Sequence, residues 1–244
     1  MAYRKTTYKF PNAIEIDEYH DGRYGAPGMR RSARKKPTPE AMARKNQYMK
    51  TVKCRRKLRA YFRQNDYFST LTYERQNRPA DMAAAKEDLR RFIRQVRAAY
   101  MRYGCELRWI ANIECGTKGA WHIHIVINRM SETDIVLARL WKKGKVVSQL
   151  LNNSGPFREG EFRRLAAYIT KSPLTDNRLR ESSYSCSRNL TIPEPEKKLY
   201  RRWKTWHEIK VPDGYYLDKD SFFEGINPLT GWPCRSYTLL RLRC

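Results

Sequence analysis

No apolar run in this 244-residue chain approaches the ~20 residues that a membrane span needs. Met1 leads into a polar, basic stretch rather than the apolar core of a secretion signal. Neither membrane insertion nor secretion is expected. The six cysteines (Cys54, Cys105, Cys115, Cys186, Cys234 and Cys244) contain no C-x-x-C pair, so zinc-finger spacing is missing. Cys105 and Cys115 should bracket one strand, about 33 Å apart and too far for a bridge. Reduced thiols in a cytoplasm are the expectation. There is no G-x-x-x-x-G-K-[ST] loop, which excludes a fused nucleotide-driven helicase, and no Ser-His-Asp, flavin or internal-repeat pattern. Acid is also scarce. Only 25 Asp and Glu face 50 Lys and Arg, a net charge of +25. Such an excess repels itself unless a polyanion neutralises it, so nucleic acid leads as partner class, ahead of anionic lipid.

What remains is enough to fold. Apolar residues make up 41% and aromatics 12%, sufficient for an ordinary core. The length fits one domain with appendages or two small ones. Residues 1–37 mix Gly, Pro, Tyr and basic residues without periodicity and read as a partly ordered arm. Thr38-Pro39 then reads as the start of a helix running to about Arg63. From Arg23 to Arg63 there are fifteen Lys and Arg against one acid, Glu40. A solvated helix face usually interleaves acids with bases, so this stretch points to phosphate contact, with Lys53, Arg55, Arg56, Lys57 and Arg59 as candidates.

Further along, Tyr67–Tyr73 alternates as a half-buried strand does. Pro79 and Asp81 open a helix with Leu89, Phe92, Ile93, Val96, Tyr100 and Tyr103 at helical spacing, and Gly104 ends it. Strands follow over Leu107–Glu114 and Ala120–Asn128, joined by a turn with Gly116 and Gly119. A helix over Glu132–Lys142, a short strand over Lys145–Leu151 and a helix over Glu161–Ser172 complete the order β-α-β-β-α-β-α. Gly155-Pro156 precedes the last helix and Pro173 stops it. This order implies an α+β fold, a central antiparallel sheet backed by helices. Residues 200–244 hold three of the six tryptophans and a turn at Pro212-Asp213-Gly214 that suits a hairpin. The expected division is a basic arm and helix over 1–65, a sheet domain over 66–198, and an aromatic-rich extension over 199–244 packed on it.

The segment Trp121-His122-Ile123-His124-Ile125-Val126-Ile127 carries the most chemistry. On a strand the isoleucines share one face, and His122 and His124 share the other, about 6.8 Å apart. Two imidazoles above an apolar underside can converge on one metal ion, or simply hydrogen-bond on an exposed sheet. A divalent ion held by two imidazoles usually takes a carboxylate as well, and Glu114 is the nearest donor. A four-residue loop between the strands sets Glu114 opposite Trp121, on the wrong face. An odd loop or a bulge sets it opposite His122, and pairing with an arginine is the other role open to it. On the last helix, Phe162, Leu165, Ala166 and Ile169 form the buried stripe, with Tyr168 on its flank and Lys171 within reach of the same anion. A phenol there can attack a phosphodiester and keep the bond energy as a phosphotyrosine, while Lys171 neutralises charge.

Phe68-Ser69-Thr70-Leu71-Thr72-Tyr73, then His122-Ile123-His124, then Tyr168-Ile169-Thr170-Lys171 resemble, in order, the three motifs of the HUH endonucleases. Within these they are most similar to the single-tyrosine rolling-circle replication initiators of bacterial plasmids and phages. Tyr184-Ser185-Cys186-Ser187-Arg188-Asn189-Leu190 resembles that family's segment after the tyrosine, and adds Arg188 as a DNA contact. The resemblance covers about residues 66–195. It implies a ferredoxin-like or RRM-like palm, Mg²⁺ or Mn²⁺ on His122, His124 and Glu114, and nicking of single-stranded or extruded origin-hairpin DNA. It further implies a 5′-phosphate left on Tyr168, a free 3′-hydroxyl for a host polymerase, unwinding by a host helicase, and a bacterial cytoplasm. With one tyrosine in the third motif, a two-tyrosine strand exchange is not implied, and Tyr184 has no Lys partner. An HUH transposase or relaxase and a non-catalytic single-strand binder are the alternatives, and metal-dependent nicking separates the last from the others.

Overall fold

The computed structural model describes residues 2–20, 36–116, 118–151, 162–171, 179–201, 206–227 and 230–242. The basic residues between 21 and 35, the Gly155-Pro156 break and the Pro173 stop lie outside them. The chain divides into two compact units, Met1–Asn46 with Pro193–Cys244, and Gln47–Ile192. Each holds a five-stranded antiparallel sheet, and four α-helices accompany them among the described residues, so the fold is α+β.

The second unit follows the expected order. Its sheet runs β6-β3-β5-β4-β7, from β3 (Tyr67–Thr72), β4 (Trp109–Gly116), β5 (Trp121–Ile127), β6 (Val146–Leu150) and β7 (Leu179–Cys186). Period-two alternation gives this sheet two apolar faces. On one, Leu71, Ala111, Ile113, Ile123, Ile125 and Ile127 pack against α2 (Met82–Arg102) and α3 (Thr133–Leu140). Asp81 caps α2 by accepting the Ala84 N–H at 2.8 Å, and Gly104, at φ +66°, takes the left-handed turn past its end.

On the other face, Phe68, Ile110 and Val126 pack against α1 (Pro39–Tyr61) and α4 (Arg163–Ile169), through Cys54 and Leu58 of α1 and Leu165, Ala166 and Ile169 of α4. At seven residues α4 is shorter than the spacing predicts, and Lys171 lies just beyond its end. That end is tied to α1: Gln47 Nε2 donates to the Thr170 carbonyl, and the Thr51 and Thr170 hydroxyls meet at 2.7 Å.

The first unit departs from the sequence reading. Residues 2–20 are no arm but two strands, β1 (Ala2–Phe10) and β2 (Ala13–His20), in a sheet ordered β8-β1-β2-β10-β9. Its other strands come from the far end of the chain: β8 (Glu196–Arg201), β9 (Tyr215–Ile226) and β10 (Pro233–Arg241). Residue 19 pairs with 234 and residue 3 with 200, partners that no local window reveals. The turn at Pro212–Gly214 exists, with Gly214 at φ +77°, but it leads into β9, and the hairpin is β9–β10. Thus the boundaries at 65 and 198 do not coincide with those of the compact units, because the terminal segments share one sheet.

Candidate active site

Three cross-strand rows on the α1/α4 face build the site. The first is apolar, Phe68, Val126 and Ile110. One step along, Thr70, His124 and Asn112 stand side by side, and one step further come Thr72, His122 and Glu114. Burial relaxes in the same direction: Val126 is 0% exposed and His124 8%, while His122 is half-buried. The imidazoles therefore sit where the core gives way to solvent, with a dry floor behind them.

The open question of register is resolved by the turn. Gly116 N–H donates to the Ala120 carbonyl, leaving an odd loop, and Gly119 takes φ +69°. Glu114 consequently pairs with His122 and shares the histidine face. Its carboxylate accepts from Asn112 Nδ2 at 2.8 Å, lies 3.6 Å from His124 Nε2, and lies 3.8 Å from Lys171 Nζ. Burial works to raise its pKa, but the His124 hydrogen bond and the nearby His124, Lys171 and His122 outweigh burial and hold it below the usual carboxylate range. Burial, with the neighbouring His124, lowers the pKa of His122 and favours the neutral imidazole.

Tyr168 projects from α4 onto this face, and its hydroxyl lies 3.0 Å from His124 Nε2. Burial first, and the Glu114 charge second, push the phenol up to about 12. The phenol stays protonated at neutral pH, and on the other side of the imidazole His124 Nδ1 lies 3.1 Å from Thr70 Oγ1. Phe68 stacks on His124 and meets Tyr168 edge-on, each at 5.9 Å between centroids, which fixes both rings. Lys171 Nζ stands 4.2 Å over the Tyr168 ring. Five predicted side chains, Glu114, His122, His124, Tyr168 and Lys171, are thus brought together.

The donor set suits a divalent cation in kind, two imidazoles and a carboxylate on one face. However, no three His, Cys, Asp or Glu side chains among the described residues close around one point. His124 lies against Tyr168 and Glu114 against Asn112, and the ligand set expected from sequence is brought to one face by strand register but does not converge. Sequence reasoning missed Asn112, which is 0% exposed and orients Glu114. The alternation Asn112-x-Glu114 mirroring His122-x-His124 was the available signal.

The other candidates divide. Lys53 and Arg188 are exposed, and Arg55 is half-buried. Lys57 turns inward, its Nζ 2.9 Å from Cys186 Sγ. Arg56 and Arg59 are 8% and 4% exposed, a correction to their reading as phosphate contacts. They share a side of α1 with the buried Val52, turned away from the Cys54–Leu58 stripe that meets the sheet. Tyr184 pairs with Asn112, and burial among the Cys54 and Cys186 thiols raises its pKa well above the usual phenol range.

Neither the curated proteins nor the solved structures include a significant match to the chain. No helix among the described residues is long and apolar enough to cross a membrane. Residues 66–173, under half of the chain but spanning β3 to the end of the tyrosine segment, match the family model of replication-associated protein ORF2, which supports a role in replication initiation.

Proposed function

We propose that this chain is a rolling-circle initiator of the HUH type that nicks single-stranded DNA through Tyr168. The observation that carries the reading is the 3.0 Å contact between the Tyr168 hydroxyl and His124, which aims a phenol at a histidine-carboxylate cluster. His122, His124 and Glu114 would hold Mg²⁺ or Mn²⁺. When bound, the ion supplies charge to polarise the non-bridging phosphate oxygens. Tyr168 attacks the phosphorus, the bond to the 3′ oxygen breaks, and the phenolic proton is lost as that oxygen gains one. The products are a 5′-phosphotyrosine and a free 3′-hydroxyl able to prime a polymerase. Lys171 neutralises charge on the phosphate and on the phenolate. Phe68 and the buried stripe of α4 keep the nucleophile in line, which shortens the search for an attack geometry. Origin-hairpin DNA, with a host polymerase and helicase, completes the reading.

The test is incubation with pooled single-stranded DNA and Mn²⁺, followed by denaturing electrophoresis and peptide mapping. A covalent adduct on Tyr168 is expected. An adduct on Tyr184, or tight binding with no adduct, would overturn the assignment, the latter in favour of a non-catalytic single-strand binder.

A further inference from the structure

We propose that a trough between α2 and β7, on the opposite face of the sheet from the histidines, is a second track for the backbone of single-stranded DNA. This rests on the reading that the chain handles DNA, but not on its nicking it.

The trough arises from sequence. Strand β7 is the sheet's edge, and Ser183 and Ser185 pair with Ile113 and Ala111, so they share the face that α2 covers. Small polar side chains give α2 nothing apolar to bury there. The helix packs over the inner strands, leaving an open cavity of 1130 Å³ beside the edge. Its helical wall carries Lys86, Arg90, Arg94 and Arg97, all exposed and spaced to form one stripe about 16 Å long. Arg188 lines it from the far side.

Acid is nearly missing from this lining. Glu106 is its one carboxylate, already engaged by Arg108 at 2.8 Å. Arg90 is held by Glu87 at 2.5 Å, whereas Lys86, Arg94 and Arg97 have no ion-pair partner among the described residues. A merely solvated helix face would interleave acids along the stripe. The half-buried Trp109 and the exposed Met101 supply apolar surface beside the basic stripe, over a floor of buried Leu89 and Ile93. Cations along a concave wall with an apolar, partly aromatic lining suit a strand whose bases are unstacked, whereas a duplex keeps its base faces stacked inside.

The test compares Arg90→Glu/Arg94→Glu/Arg97→Glu with Arg102→Glu/Arg139→Glu/Lys142→Glu, which makes the same charge change at exposed positions outside the trough. The readout is the affinity of the full chain for an oligothymidine of ~30 nucleotides across a salt series. The trough variant should bind at least tenfold more weakly than the control, with a salt slope reduced by about 2. Equal losses in the two variants, or no loss in either, would overturn the proposal. If the charge reversals fail to fold by circular dichroism, Arg94→Gln/Arg97→Gln against Arg102→Gln/Arg139→Gln asks the same question. Adduct formation in Mn²⁺ by the wild type is scored separately, so failure of nicking and failure of the track are distinguishable.

Discussion

The two sheets have the same number of strands and the same antiparallel pairing, yet they treat buried charge in opposite ways. In the first unit Arg235 grips Glu18 through Nε at 2.7 Å and Nη2 at 2.5 Å, and also donates to the His207 carbonyl at 2.8 Å. Both side chains are under 10% exposed, and the guanidinium lies 5.5 Å from the Trp206 ring and 5.4 Å from that of Tyr237. In the second unit Glu114 has one short bond, to Asn112, and two loose contacts at 3.6 and 3.8 Å. A buried charge held at full hydrogen-bond strength is committed to the fold. One held loosely beside two imidazoles keeps capacity for a cation that arrives later.

That contrast can be broken from either side. The largest effect is expected from Tyr168→Phe. Removing one oxygen leaves the ring against Phe68 and His124, so thermal melting should barely move while the covalent adduct disappears entirely. His124→Ala should also abolish the adduct, but DNA affinity, measured by anisotropy, should largely persist, since phosphate contacts are spread over a basic surface. Parallel loss of binding and cleavage in a folded protein would argue that His124 is structural. Arg235→Ala belongs to the other unit and should cost about 3–5 kcal/mol of stability, because the buried Glu18 is left with only the looser Lys5 contact at 3.9 Å. Hydrogen exchange should quicken in β1, β2 and β10 and stay slow in β3, β4 and β5. The smallest change expected is at Gly144, where a Cβ would meet the Thr72 carbonyl oxygen at 2.2 Å. Gly144→Ala must push β6 away from β3, at a cost of about 1–3 kcal/mol by denaturant titration.

The same contrast explains what was legible in the sequence. Strands β3, β4 and β5 each alternate cleanly, β4 and β5 form a local hairpin, and turn residues bound them, so alternation and turn residues sufficed to order them. The histidine pair and Tyr168 were legible because each sits at a defined phase of a strand or helix. The register of Glu114 was not, since one loop residue more or less inverts its face and only the hairpin geometry decides. Nor was the burial of Arg56 and Arg59, which lie with Val52 on a second covered side of α1, away from the stripe that meets the sheet. In a helix so evenly basic the charges do not mark that side. The strands of the first unit were invisible for a different reason: β1 and β2 complete their ladders with residues some two hundred positions away, and Glu15, Glu18 and Arg235 are buried where a pattern of apolar residues was sought.

The brevity of α4 has a consequence for transplanting this cluster. A helix of seven residues does not hold its shape alone, so the aim of Tyr168 is borrowed from Gln47 and Thr51, which fasten its last turn to α1. A graft of the histidine hairpin and the tyrosine segment onto a foreign scaffold would carry His122, His124 and Tyr168 and still lack the bracket that points the phenol. The smallest portable unit of this site therefore begins near Gln47, upstream of the first recognisable motif.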